Sequence, residues 1–225
     1  MRVQMPRWMT FGRLVRIMTI ALGSIVAAAP GAAADKPVMI VALGDSLTAG
    51  LGLAAKDAFP ARLQAALAAK GIAATIADAG VSGDTTSGGL ARLDWSVPPG
   101  TEGVILELGA NDALRGLDPK VPRASLDAIL QRLTARGIPV LLCGMLSPPN
   151  LGADYARAFN AIYTDLAKTY GTLLYPFFLD GVAGNRRLVQ ADGLHPTAAG
   201  VDVIVAKILP DVEALTARVR AKRGP

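Results

Sequence analysis

Apolar positions along the chain fall into two patterns. Short unbroken runs end on glycine or small polar residues, and longer stretches return to an apolar residue every three or four positions. The first pattern covers residues 38–43, 72–77, 104–108, 138–143 and 172–175, and each reads as a buried strand closed by a turn. The second covers residues 59–69, 122–136 and 153–170, with Gly71, Gly137 and Gly171 as stops. A short helix is predicted over 87–93, and a last one over 197–217 with an interruption at Pro210. The polar, glycine-rich stretch 78–86 reads as a loop. Strands alternating with helices of this length predict an α/β fold on a parallel sheet covered on both faces. No repeat, linker or second domain interrupts the pattern, so the body is expected to be one domain over residues 35–217.

The N-terminal stretch departs from it. Arg2, Arg7, Arg13 and Arg16 precede an apolar run over 17–29, followed by Pro30, Gly31 and three alanines. A basic start, a short apolar centre and a small-residue end predict a secretory signal peptide over residues 1–34. The preferred cleavage lies after Ala34, with Ala29 as the second choice. The apolar run falls short of the ~20 residues a spanning helix needs. The predicted location is therefore periplasmic or secreted.

The leader also explains the charge. The whole chain carries 23 basic and 18 acidic residues, but four of the cations belong to the leader and four to the segment 218–225. Residues 35–217 hold 15 basic and 18 acidic residues, so no basic body surface for nucleic acid is expected. The basic tail, with Arg218, Arg220, Lys222 and Arg223, could touch membrane lipid transiently; a frayed, solvated helix end is the preferred reading. Cys143 is the one cysteine and reads as a small core residue, so no internal disulfide is expected. With a single His and a single Cys 52 positions apart, no metal site is expected either.

Candidate chemistry gathers at the carboxyl ends of the predicted strands, where open parallel sheets hold their ligands. Ser46 follows the first run, Gly83 the second and Asn111 the third, although they lie 28 to 65 positions apart. A serine hydroxyl needs a base, and His195 is the only imidazole. Asp192 stands three residues before it in Asp192-Gly193-Leu194-His195, close enough to orient one ring nitrogen. Such general-base help is worth ~10²–10⁴ in rate. The backbone N–H groups of Ser46 and Gly83 and the Asn111 amide are candidate donors to an oxyanion, glycine at 83 allowing close approach. Asp45 is read as bracing the turn, Glu107 as packed at its polar tip, and Asp84 and Asp112 as weaker alternatives to Asp192. Each motif alone has a bland reading: a turn, a loop glycine, a structural histidine.

Together the four blocks resemble the SGNH (GDSL) hydrolases, here through Ser46, Gly83, Asn111 and His195. The stretches 42–50, 82–86 and 108–116 are similar to the bacterial periplasmic thioesterase I, lysophospholipase and arylesterase branch. The resemblance implies a flavodoxin-like three-layer α/β/α sandwich with a five-stranded parallel sheet. It also implies a Ser46–His195–Asp192 triad, an oxyanion hole from Ser46, Gly83 and Asn111, and no metal or organic cofactor. Gly44-Asp45-Ser46-Leu47-Thr48 lacks the second glycine of the α/β-hydrolase elbow. One loop departs from the branch: Ser147 stands where an apolar residue is usual, which leaves acyl chain length open. Leu114, Ser147, Pro148 and Leu151 are expected to line the acyl groove.

The expected activity is that of an exported serine esterase on small acyl esters or lysophospholipids, with thioesters as a further substrate class. A monomer is expected. The rival readings are a glycan O-deacetylase and a non-catalytic lipid- or glycan-binding protein on the same fold.

Overall fold

Five strands pair side by side in one parallel sheet: β1 (Val38–Gly44), β2 (Ala74–Gly80), β3 (Gly103–Glu107), β4 (Val140–Cys143) and β5 (Leu173–Tyr175). Their order is β2-β1-β3-β4-β5, so the chain reverses its winding direction between β1 and β3. A crevice opens outside the strand ends at such a switch point. The computed structural model describes Met1 and residues 36–224, the latter lying within the unit Asp35–Pro225. The expected signal peptide over 1–34, apart from Met1, lies outside the described residues.

Eight helices occur among the described residues: α1 (Ser46–Ala49), α2 (Phe59–Ala69), α3 (Thr86–Ala91), α4 (Leu93–Ser96), α5 (Ala110–Leu114), α6 (Lys120–Ala135), α7 (Ala153–Tyr170) and α8 (Ala198–Arg223). α2 and α8 pack together on one face of the sheet, while α3, α6 and α7 cover the other. The central strands are therefore covered on both faces: every residue of β3 and β4 is buried. Cys143 is buried in β4, as its context predicts. The arrangement is the expected flavodoxin-like three-layer sandwich.

Three of the differences from the sequence reading have clear physical reasons. β2 runs on to Gly80 rather than stopping at residue 77, because Asp78, Ala79 and Gly80 continue the ladder opposite Ala42, Leu43 and Gly44. β2 is an edge strand, so a polar residue there faces water without penalty. Pro210 does not interrupt α8; it lies on the exposed side, where the carbonyl it leaves without a partner can be hydrated.

The third difference is the C-terminal tail. α8 continues to Arg223, and Val219 is only 2% exposed, on the apolar stripe formed by Val205, Ile208, Val212 and Leu215. Arg218 donates to the Gly171 carbonyl (3.0 Å) and Lys222 to the Gly137 carbonyl (2.7 Å), just past the ends of α7 and α6. Arg223 pairs with Glu102 at 2.6 Å. Cations at helix C-termini satisfy carbonyls that have no partner inside the helix. The expected frayed end is instead a docked turn of helix.

Candidate active site

Ser46 opens α1 directly after β1, and Gly44 makes that junction tight. A side chain on Gly44 would collide with Thr48 and would come within 2.7 Å of Glu107 Oε2. Asp45 caps the short helix: its Oδ1 accepts from the Leu47 N–H at 3.0 Å. Its Oδ2 accepts from Asn111 Nδ2 at 3.1 Å, which ties the nucleophile turn to the loop after β3. Asp45 thus braces the turn, as expected, and also reaches across the switch point.

Ser46 Oγ and His195 Nε2 are 2.9 Å apart, and His195 Nδ1 is 2.6 Å from Asp192 Oδ2. The other Asp192 oxygen, Oδ1, accepts from the backbone N–H of Leu194 (2.9 Å) and of His195 (3.0 Å). The Leu194 and His195 backbone donors and the His195 ring hold the Asp192 carboxyl down at about 2, so it is an anion across the neutral range. An anionic acceptor at Nδ1 requires the proton on that nitrogen, which leaves Nε2 with a lone pair facing the Ser46 hydroxyl. The arrangement can take the serine proton and stabilise the resulting imidazolium.

The two alternative acids are engaged elsewhere. Asp84 Oδ2 pairs with Arg92 Nε at 2.6 Å, and Asp112 accepts both the backbone N–H and the hydroxyl of Thr86, each at 2.8 Å. Neither has a contact to His195.

Asn111 sits in α5 with its Nδ2 bonded to Asp84 O (2.9 Å) as well as to Asp45. Gly83 lies in the loop after β2 with φ +85°, and its carbonyl accepts from Arg115 Nη2 at 2.8 Å. A Cβ there would meet no protein atom closer than that guanidinium, 3.9 Å away. Within the protein, glycine is required at 83 by the left-handed backbone rather than by crowding.

Ser46 and His195 open into a cavity of about 430 Å³ with mostly apolar walls. Leu114, Ser147 and Pro148 line it. Leu151 does not: it ends the turn Pro149–Leu151 and stands near Gly116 instead. Missed by the sequence reading are Met145, Leu146, Phe177, Leu179, Ala183 and Leu194. Their signal was present, because Phe177 and Leu179 follow the fifth strand onto the same rim of the sheet. A larger cleft of about 640 Å³ at the β2 edge, among Met39, Val81, Trp95 and Pro98, contains none of the chemical candidates.

Three further groups support the site; Glu107 is packed as its sequence context predicts, while Gln190 and Arg92 carried no sequence signal. Gln190 Nε2 donates to the carbonyls of Leu51 (2.7 Å) and Pro196 (2.9 Å), and Gln190 N donates to the His195 carbonyl (2.7 Å). It clamps the histidine loop against the loop after α1. Glu107, at the end of β3, is wholly buried beneath the turn and accepts from Thr48 Oγ1 at 2.8 Å. Burial, reinforced by the nearby Asp45 charge, pushes its carboxyl well above the usual range. Burial also raises Asp45, to about 6, against the opposing pull of the Leu47 N–H, Asn111 and His195. Arg92 is the third. Among the described residues, no three His, Cys, Asp or Glu side chains converge as a metal-binding group.

Comparison with known proteins agrees with this geometry. The pattern of the GDSL-like Lipase/Acylhydrolase family matches residues 42–203. Esterase TesA of Pseudomonas aeruginosa is 39% identical over 177 residues, covering 78% of this chain and 88% of that protein. Thioesterase 1/protease 1/lysophospholipase L1 of Escherichia coli K12 is 40% identical over 166 residues, covering 73% and 77%. The crystal structure of AlinE4, an SGNH-hydrolase family esterase, superposes with a TM-score of 0.68 at 46% identity, covering 84% of this chain and 98% of that one. Both the matched span, which runs from β1 into α8, and these identities place the chain in the GDSL-like lipase/acylhydrolase family.

Proposed function

We propose that this esterase is exported and cleaves small acyl esters, lysophospholipids among them, through an acyl-enzyme on Ser46. His195 Nε2 takes the Ser46 proton as Oγ attacks the acyl carbonyl carbon. The carbonyl π electrons move onto oxygen, and the oxyanion is met by the N–H groups of Ser46 and Gly83 and by the Asn111 amide. As the first residue of α1, Ser46 has a backbone N–H without an intrahelical acceptor. Asn111 joins by sharing the longer of its two bonds, that to Asp45. The imidazolium, stabilised by Asp192, then protonates the leaving alcohol or thiol as its bond to carbon breaks. Water repeats the sequence on the acyl-enzyme: His195 removes its proton, and Ser46 leaves with that proton restored.

One observation carries this reading: the unbroken relay Ser46 Oγ–His195 Nε2 (2.9 Å) and His195 Nδ1–Asp192 Oδ2 (2.6 Å) at the wall of an apolar cavity. The test is hydrolysis of p-nitrophenyl esters from acetyl to palmitoyl by the protein and by Ser46→Ala, with a fluorophosphonate probe alongside. Turnover that disappears in Ser46→Ala, with the probe attached to Ser46, is the expected result. Equal rates in the two proteins would remove Ser46 as nucleophile. Bound lipid without turnover or labelling would favour the binding-protein rival.

A further inference from the structure

Arg92 is a buried cation away from the relay, 7% exposed, at the junction between α3 and α4. Its guanidinium makes four bonds to four different segments. Nε meets Asp84 Oδ2 (2.6 Å), Nη1 meets the Ala79 carbonyl (2.8 Å) and Ser96 Oγ (3.0 Å), and Nη2 meets the Gly44 carbonyl (2.8 Å). Gly44 is the last residue of β1, two before Ser46, and Ala79 is next to last in β2. Asp84 directly follows Gly83, and its own carbonyl is the shorter of the two acceptors that hold Asn111.

Stability alone is a weak reason to bury such a group. Desolvating an arginine and a carboxylate is unfavourable before any contact is made, and apolar residues of similar volume often replace a buried ion pair without loss. What a packed apolar side chain cannot do is fix the relative positions of several backbone carbonyls. A planar fork with five directed donors can. Here the fork joins the strand end that presents Ser46 to the loop that presents Gly83, and through Asp84 it also sets where Asn111 is anchored.

We infer that Arg92 is the positioning residue for the oxyanion donors, holding the Gly83 loop and Asn111 in register with Ser46 through Gly44 and Asp84. The inference rests on the oxyanion role proposed above for Ser46, Gly83 and Asn111. Arg92 itself does not line the cavity that holds Ser46 and His195. Its loss therefore affects how well the transition state is met and leaves the acyl pocket in place.

The test measures kcat and KM for one p-nitrophenyl ester with Arg92→Lys, Asp84→Asn, Asn111→Ala and the Arg92→Lys/Asn111→Ala double variant, each per mole of folded protein. Arg92→Lys keeps the charge but cannot span Gly44 and Ala79 together. Asp84→Asn removes the paired anion while keeping the carbonyl to Asn111, and it serves if Arg92→Lys does not fold. Expected is a kcat loss of roughly 10- to 100-fold in Arg92→Lys and in Asp84→Asn, with KM within about threefold. The double variant should lose less than the product of the two single losses, because part of the Arg92 effect passes through Asn111 and the rest through the Gly83 loop. Should Arg92→Lys and Asp84→Asn keep kcat while Asn111→Ala loses it, the positioning role is overturned and the oxyanion reading stands. Fully multiplicative losses in the double variant would also overturn it. An unchanged kcat in Asn111→Ala would remove the oxyanion reading, and the inference with it.

Discussion

Glu107 and Thr48 meet under the nucleophile turn, the Thr48 hydroxyl donating to Glu107 Oε2 at 2.8 Å with both residues wholly buried. The Asp45 N–H also points to that oxygen, at 3.4 Å, while Oε1 has no partner among the described residues. An anion so placed would be poorly compensated, and burial with the Asp45 charge nearby favours the neutral acid.

The amide of glutamine is then a close substitute. Glu107→Gln is expected to keep kcat and to stay within about 1 kcal/mol of the parent in urea unfolding. Glu107→Ala removes the acceptor and leaves a hole under Ser46, for a loss of about 2–4 kcal/mol. Equal destabilisation by the two would mean that Glu107 is charged in the folded protein.

Asp45 gives a pH signature of definite sign. Its carboxyl rises from 3.8 to about 6 on folding, mainly through burial, so the folded protein holds that proton more tightly than the unfolded chain. The associated stability is complete below about pH 4 and is lost as pH rises through about 6. Asp45→Asn lacks this dependence. Its stability relative to the parent should therefore climb between about pH 4 and 6, by up to about 3 kcal/mol, and then level off. Urea midpoints across that range measure it, and a flat difference would show that Asp45 ionises normally in its buried place.

Asp192 shifts in the opposite direction. Held down at about 2 by the Leu194 and His195 donors, it adds stability above pH 3.8 that is lost as pH falls toward 2. It stays ionised through the whole range in which an esterase is assayed, so a loss of activity between about pH 7 and 5 does not come from protonation of Asp192. Asp192→Asn is expected to lower kcat by roughly 10²–10⁴ at neutral pH with little change in KM. A kcat within about twofold of the parent would show that the histidine is oriented by other contacts, Gln190 among them.

Much of this was readable from local pattern. α2 and α7 begin and end where apolar spacing and the following glycines place them, because those signals act over one or two helical turns. The meeting of Ser46 with His195, 149 positions away, was expected from the single imidazole together with the four blocks that resemble the SGNH hydrolases. Arg92 and Gln190 were not readable. The side-chain partners of Gln190 and two of the four partners of Arg92 are backbone carbonyls, which every residue carries, so no pattern of residue types marks them. The docked end of α8 was hidden for the same reason, since Arg218 and Lys222 bind the carbonyls of Gly171 and Gly137. Leu151 was misplaced because strand ends define a rim, but not which way a following turn folds.

The place where that rim meets solvent offers a test of acyl chain length. Leu114, Leu146 and Leu194 line the cavity and are each about half exposed, at 51%, 45% and 47%. Ser147 lies among them, its N–H bonded to Asn160 Oδ1 at 2.9 Å and its hydroxyl only 3.5 Å from the Pro148 carbonyl. That hydroxyl has little to hold it in the protein and faces an otherwise apolar wall, which favours short acyl chains that leave it hydrated. Replacing it with an apolar side chain extends the wall without touching the relay, and each methylene pair brought into contact is worth about 1 kcal/mol. Ser147→Leu is therefore expected to raise kcat/KM for decanoyl over butyryl p-nitrophenyl esters by roughly 3- to 10-fold, and Leu146→Ser to shift it the other way. Both variants should react with a small fluorophosphonate at the parent rate. A ratio that moves in neither variant would place the acyl chain along a different wall of the cavity, toward Phe177 and Leu179.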